Sequence, residues 1–309
     1  MRASIDPRVS GLVLAFALAG CGAPLDTTTG PLVARDSANG DQAVVGQPTA
    51  DLYPLQIGNR WHHRHQRIIR IFVNGKALAP IRDRWETASD IACTRNVNGF
   101  DYLVERSNAF GTPVWTALRQ DATGLYELPP VVNPPSCPSA LAAEAGSAAH
   151  PGFDPPASLA AWPAAERAAV LDALARMDER VTTFRTSSLG GPGPVEMPRL
   201  LYPIQVGTRW GTWYGATAEV VGSDVLELPA GKFFGHRVRL IYPSMGPADR
   251  MHVWYGRAGY LQTVTHLEFP IVDGRNVAYG VGILDESEVL VDLRLAPRHP
   301  ASPAPWTRF

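Results

Sequence analysis

The 309-residue chain carries 28 basic and 29 acidic side chains, a balance that excludes a nucleic-acid binder working through a basic surface. Gly and Pro at 28 each suit a turn-rich β protein better than a helical bundle. The length allows two domains, and 45% hydrophobic content argues against global disorder.

The first residues read as an export signal. Arg2 and Arg8 form a charged start, with Asp6 an atypical neighbour, and Gly11 to Ala19 supplies an apolar stretch of nine residues. That is too short to span a bilayer as a helix, which needs about 20 residues, so residues 1–20 read as a processed segment. Leu18-Ala19-Gly20-Cys21 then resembles the bacterial lipobox. The resemblance implies a diacylglycerol on the Cys21 thiol, cleavage before it, and acylation of the new N-terminus with a chain such as palmitate. Two or three acyl chains anchor a protein stably where one does so only marginally. The alternative is a soluble secretory signal in which Cys21 is incidental. Gly22, standing where a retention Asp would be, implies by the same resemblance the outer membrane of a Gram-negative envelope. Removing residues 1–20 takes Arg2, Arg8 and Asp6 away and leaves 26 basic and 28 acidic side chains on 289 residues.

Residues 21–50 read as a flexible tether. A duplicated segment organises the chain beyond it: LYPLQIGNRW at Leu52 to Trp61 and LYPIQVGTRW at Leu201 to Trp210, identical at seven of ten positions. The two-residue period predicts strands with Tyr53, Leu55 and Ile57 on one face, and likewise Tyr202, Ile204 and Val206. Pro54 and Pro203 confine these strands to an edge or a short span. Gly58 and Gly207 supply a turn, and Trp61 and Trp210 open the next strand with a large ring for the core.

After the first copy come short strand-like runs at Trp85–Ala92, Phe100–Arg106, Val114–Arg119 and Gly124–Tyr126, a first module over residues 51–130. Residues 131–200 are a Pro/Ala-rich connector with one amphipathic helix at about 163–181, carrying Val170, Leu171, Leu174, Met177 and Val181. It packs on a sheet or between modules, since its polar face mixes charges instead of being basic. After the second copy, Ala218–Val221, Val225–Leu228, Phe233–Tyr242, Val253–Tyr255 and Gly259–Leu261 repeat the pattern, and Val277–Leu284 with Glu288–Leu295 suggests a final hairpin. This second module covers 201–295, and 296–309 is a Pro-rich tail. The expected fold class is mainly β: two tandem antiparallel curved-sheet, half-barrel-like modules with one intervening helix.

With Cys21 assigned to lipid, Cys93 and Cys137 remain, and an even pair in an oxidising compartment favours a disulfide. Closing a loop of about 45 residues contributes about 4 kcal/mol. Two separate buried thiols are the alternative.

The Tyr-Pro-x-Gln-x-Gly-x-Arg-Trp segments, the turn Leu228-Pro229-Ala230-Gly231-Lys232-Phe233, and Val253-Trp254-Tyr255 to Gly259-Tyr260 resemble motifs of bacterial envelope lipoproteins. Some of those are similar to the curved half-barrel of the LolA and LolB lipoprotein carriers. The resemblance covers Tyr202 to His266 well and Tyr53 to Leu128 partly, because the first copy lacks the Pro-Ala-Gly turn. It implies a fold and no catalytic residues. A curved sheet leaves a concave face that a lipid chain can fill, or that its own side chains close.

His62-His63-x-His65 is the metal-like grouping, with His63 and His65 on one strand face. A third ligand is not indicated, and interspersed Arg60, Arg64, Arg67 and Arg70 favour a solvated basic strand. Asp83, Glu86, Asp90, Glu219, Asp224 and Glu227 show no recognisable pairing. Ser244 lacks the glycine and context of a nucleophile elbow. Trp61, Trp85, Trp115, Trp210, Trp213 and Trp254 read as core, with a glycan-stacking platform as the alternative. No cofactor is implied. The sequence therefore points to a non-enzymatic, membrane-anchored envelope protein that binds a lipid, a lipoprotein or a glycan, with a hydrolase as the alternative.

Overall fold

The computed structural model describes residues 53–108, 113–129, 157–186, 195–212, 215–273 and 275–297, all within the compact unit Gln47–Phe309. The order is β1 (Arg60–Val73), β2 (Lys76–Ala77), β3 (Ile81–Val97), β4 (Phe100–Ser107), β5 (Val114–Gln120), β6 (Gly124–Glu127), α1 (Ala164–Thr186) and β7 (Met197–Leu201). Then come β8 (Arg209–Gly211), β9 (Thr217–Leu228), β10 (Gly231–Ile241), β11 (Arg250–Gly256), β12 (Gly259–Val272) and β13 (Ala278–Arg294). The protein is mainly β with one long helix, as its composition and periodicity indicate.

The strands do not divide into two sheets. They form one sheet in the order β7-β6-β5-β4-β3-β1-β13-β12-β11-β10-β9-β8, with β2 beside β1 and every pairing antiparallel. The joint between the halves is β1 against β13, paired from Arg60–Arg294 to Val73–Gly280. The terminal strands return to each other: a Cβ placed on Gly211 of β8 would lie 3.6 Å from Met197 Cε on β7. The result is a nearly closed barrel, a curvature that follows from the right-handed twist of paired strands.

The duplicated segments share one backbone arrangement. Gly58 N donates to Ile91 O (2.9 Å) and Ile91 N to Asn59 O (2.9 Å), while Gly207 N donates to Val220 O (2.8 Å) and Val220 N to Thr208 O (3.0 Å). The glycines have φ of 92° and 90°, a region open to glycine at little steric cost. Arg60 then pairs with Asp90 and Arg209 with Glu219. A second arginine from the next strand reaches each acid, Arg106 to Asp90 and Arg239 to Glu219. The segments themselves are turns, not strands, because Pro54 and Pro203 cannot donate to a ladder. Tyr53 and Tyr202 are buried as expected, but Ile57 and Val206 sit at the turn and are exposed.

β1 alternates buried and exposed positions, with Trp61, His63, His65, Arg67, Ile69, Ile71 and Val73 inward. Two apolar cores result. One gathers Tyr53, Trp61, Tyr202, Trp210, Leu118, Leu125 and Leu261. The other places Ile69, Ile71, Leu267, Phe269 and Leu284 under Ala169, Val170, Ala173, Leu174 and Met177 of α1. The helix thus packs on the sheet. Leu171, expected on its buried stripe, is exposed, since Ala169 and Ala173 turn the face that way. The expected terminal hairpin is one continuous strand, β13, whose length is needed to pair β1 and β12 together.

Candidate functional site

Between the two cores the inward face is polar. His63, His65 and Arg67 are buried, Arg67 completely, so the expected solvated basic strand is corrected: alternate β1 residues face the barrel interior. Arg67 donates through Nε and Nη2 to Asp83 Oδ2 (2.9 and 2.6 Å) on β3. His65 stacks on Trp85 at 4.7 Å, and Arg67 lies over the same ring. His65 Nε2 meets Thr87 Oγ1 at 2.9 Å and Glu288 Oε1 at 3.4 Å, while Nδ1 is 3.9 Å from Glu286 Oε1 and makes no hydrogen bond among the described residues. Glu286 and Glu288 face this histidine because β13 pairs Glu288 with His65 and Glu286 with Arg67.

A second group lies on the other side of the barrel. Arg199 of β7 donates to Glu127 Oε2 (2.6 Å) and Glu105 Oε2 (2.9 Å), and the Tyr53 phenol donates to Glu105 Oε1 (3.2 Å). Burial alone would lower the Arg199 pKa, but the charges of Glu127 and Glu105 outweigh it and hold the guanidinium firmly ionised. Tyr53 is pushed well above the usual phenol value, chiefly by burial and then by Glu105.

Two tyrosines connect these groups. Tyr260 stacks near His63 (4.8 Å between centroids) and Tyr255 (6.2 Å), donates to Glu288 Oε2 (2.5 Å), and lies 2.6 Å from Thr263 Oγ1. Burial is the first cause raising both phenols, so both are O–H donors at neutral pH. His63 is lowered by burial, opposed by Glu288, and is held neutral with Nε2 toward Tyr260 O (3.3 Å). Tyr255 and Tyr260 are half-buried, and the Arg199 and Glu288 side chains keep 17% and 21% exposure. Together these side chains present carboxylates, phenols and a guanidinium, a mixture of donors and acceptors around aromatic faces.

The Glu105 carboxylate has no counterpart in the second half of the duplication. With Asp90 and Arg106 matching Glu219 and Arg239, Glu105 corresponds to Val238, a core residue. Sequence reading missed Glu105, Glu127, Arg199, Glu286 and Glu288. Their signal was phase: Glu105 is two residues from inward Leu103, and Glu288 two from inward Leu290.

The remaining expected site residues are dispersed. Cys21, Cys137 and Trp213 lie outside the described residues; Cys93 is partly buried on β3 beside a register shift. Among the described residues no group of three or more His, Cys, Asp or Glu could hold a metal, and His63 and His65 engage Tyr260 and Thr87 instead. The acids pair with cations or a donor and not with one another: Asp83 with Arg67, Glu86 with Arg64, Asp90 with Arg106, Glu219 with Arg209, Asp224 with Trp254 and Glu227 with Lys232. Trp61, Trp85, Trp115, Trp210 and Trp254 are buried and form no exposed platform. Ser244 sits in the β10–β11 turn.

Fold and seam together define a nearly closed antiparallel β barrel with an ionised interior. No protein-family model and no curated protein matches the chain. Among solved structures it is similar to a protein of Bacteroides fragilis described as exported with a YmcC-like fold, at 12% identity and TM-score 0.31, covering 80% of this chain and 100% of that one. It is also similar to a protein of Parabacteroides distasonis described as a lipoprotein, at 10% identity and TM-score 0.30, with the same coverage.

Proposed function

We propose that the protein is a lipid-anchored envelope protein that works by binding, and that its polar seam receives a polyhydroxylated ligand, a glycan. The observation that carries this reading is the polar seam of Tyr255, Tyr260, Glu288, Glu105 and Arg199, accessible yet deep between two apolar cores. An acyl chain there would cover donors and acceptors without satisfying them, at about 1–3 kcal/mol for each group left unpaired. Sugar hydroxyls would satisfy both kinds, and the phenol rings offer faces to stack on. The anchor rests on the lipobox ending at Cys21, and outer-membrane placement on Gly22.

The test is titration calorimetry of the detergent-free chain with oligosaccharides released from peptidoglycan and lipopolysaccharide. Saturable binding is expected, weakened about tenfold by Tyr260→Phe or Glu288→Gln with the fold intact. Absence of binding to every oligosaccharide, with a lipid copurifying in native mass spectrometry, would replace the glycan by a lipid. Release of new reducing ends with time would move the reading to a hydrolase. For the anchor, Cys21→Ser should abolish palmitate labelling and membrane fractionation.

A further inference from the structure

Antiparallel pairing throughout sends the chain alternately up and down the barrel, so its connections divide between two rims. One rim collects the short turns: 53–59 before β1, 98–99, 121–123, 202–208, 229–230, 257–258, and 295–297 after β13. The opposite rim carries the 74–75 turn, the connections 212–216, 242–249 and 273–277, the longer ones after β4 and β6, and the end of the sheet covered by α1.

Six of the eleven large exposed hydrophobics among the described residues lie on the short-turn rim, Ile57, Phe100, Val206, Val225, Phe234 and Leu295, between 51% and 71% exposed, and the other five, Phe72, Leu171, Val195, Ile241 and Val277, lie toward the opposite end. Single exposed apolar residues scattered over a surface need no explanation, but the same exposed tip kept in both copies of a duplicated segment does. Ile57 and Val206 precede the turn glycine in both copies of the duplicated segment, so each copy presents an apolar tip in the same way. Val225 and Phe234 face each other across the β9–β10 hairpin. Gly235 is level with Gly256 at the end of β11, so this hairpin runs four residue pairs further, about 13 Å. Exposed Arg95, Lys232 and Arg257 stand at the same rim, with Asp101 and Glu227 opposing them in part. Apolar tips on separate turns, interspersed with cations, suit a plane of lipid headgroups better than one contiguous protein patch. The chain joins the barrel at Tyr53 on this same rim, 32 residues after Cys21.

We propose that the short-turn rim rests on the membrane, with Ile57, Val206 and the Val225–Phe234 hairpin inserted at the interface and α1 turned away. This rests on the reading of Cys21 as lipidated, and the experiment separates the two. The full lipidated chain is reconstituted on vesicles of phosphatidylethanolamine and phosphatidylglycerol, and hydrogen exchange is compared with that of the Cys21→Ser chain in solution. Peptides over 54–59, 203–208 and 225–234 should exchange about tenfold more slowly on vesicles, with the α1 peptides unchanged. Partition of the Cys21→Ser chain into the same vesicles should fall at least about tenfold when Ile57, Val206 and Phe234 are all made serine, with an unchanged thermal midpoint. Equal exchange at the rim with and without vesicles, or protection confined to α1 and 242–249, overturns the proposal. So does protection that develops only when envelope protein is added, which would assign the rim to a protein partner. Failure of the anchor reads out separately, as no palmitate at Cys21 while rim partition of the Cys21→Ser chain persists.

Discussion

Replacing Arg199 by methionine removes the cation shared by Glu105 and Glu127, whose side chains are only 11% and 5% exposed. Methionine fills similar space, so the cost is electrostatic: two enclosed carboxylates lose their common counter-charge. Breaking a buried pair from one side costs about 3–5 kcal/mol, whereas replacing all partners by neutral groups is often nearly neutral. The Arg199→Met chain should therefore unfold at lower urea with an unchanged m-value, and its thermal midpoint should drop by roughly 6–20 °C. Adding Glu105→Gln and Glu127→Gln should recover most of the loss. Tryptophan fluorescence reports both transitions, because Trp61 and Trp210 share the adjacent core. An Arg199→Met chain within about 1 kcal/mol of the parent, or a triple variant no better than the single, would refute a clamp that holds β7 to β4 and β6 by charge.

Trp61 Nε1 donates to Ala258 O at 2.6 Å, but the buried Nε1 of its counterpart Trp210 finds no acceptor among the described residues. Trp61→Phe should thus cost about 1–2 kcal/mol more than Trp210→Phe in urea unfolding, and equal costs would contradict the assignment. Gly280 pairs with Val73, and an added Cβ would lie 1.9 Å from Phe72 O, so Gly280→Ala should destabilise by about 3 kcal/mol or prevent soluble expression. His63, His236 and His252 are all held below the ordinary histidine value, with burial the first cause in each. Such a base contributes stability that is complete above the unfolded value and is lost as pH falls from there to the folded one, so melting points should drop between about pH 7 and pH 5. His63→Gln should flatten that slope; an identical slope would count against it. Cys93 and Cys137 are expected to be joined, so thiol titration of the exported protein should find neither free, and reduction should cost about 4 kcal/mol.

Much of the site was illegible because a strand pattern records only one neighbour relation. The histidine-arginine run of β1 looked solvated, since the four charged or titratable residues His62 to His65 with Arg60 and Arg67 beside them rarely face a core. What buries His63, His65 and Arg67 is the partner set: Asp83 and Thr87 from β3, Glu286 and Glu288 from β13, Tyr260 from β12. Those strands stand up to about 220 residues away, and no local period connects them. Arg199 is a similar case, arriving on a strand hidden in what reads as connector.

The sequence by itself determined the duplication and its turn glycines, most strand positions and the single helix, because each depends on residues close together in the chain. Alternation set which side chains face inward, and positive φ set where glycine stands. Only the tertiary structure decided that the two copies close into one barrel through β1 and β13, and that Arg67 and Arg199 meet their acids inside it. Closure depends on twist summed over the whole strand order, and charge compensation on which strands become neighbours; both are properties of the complete sheet.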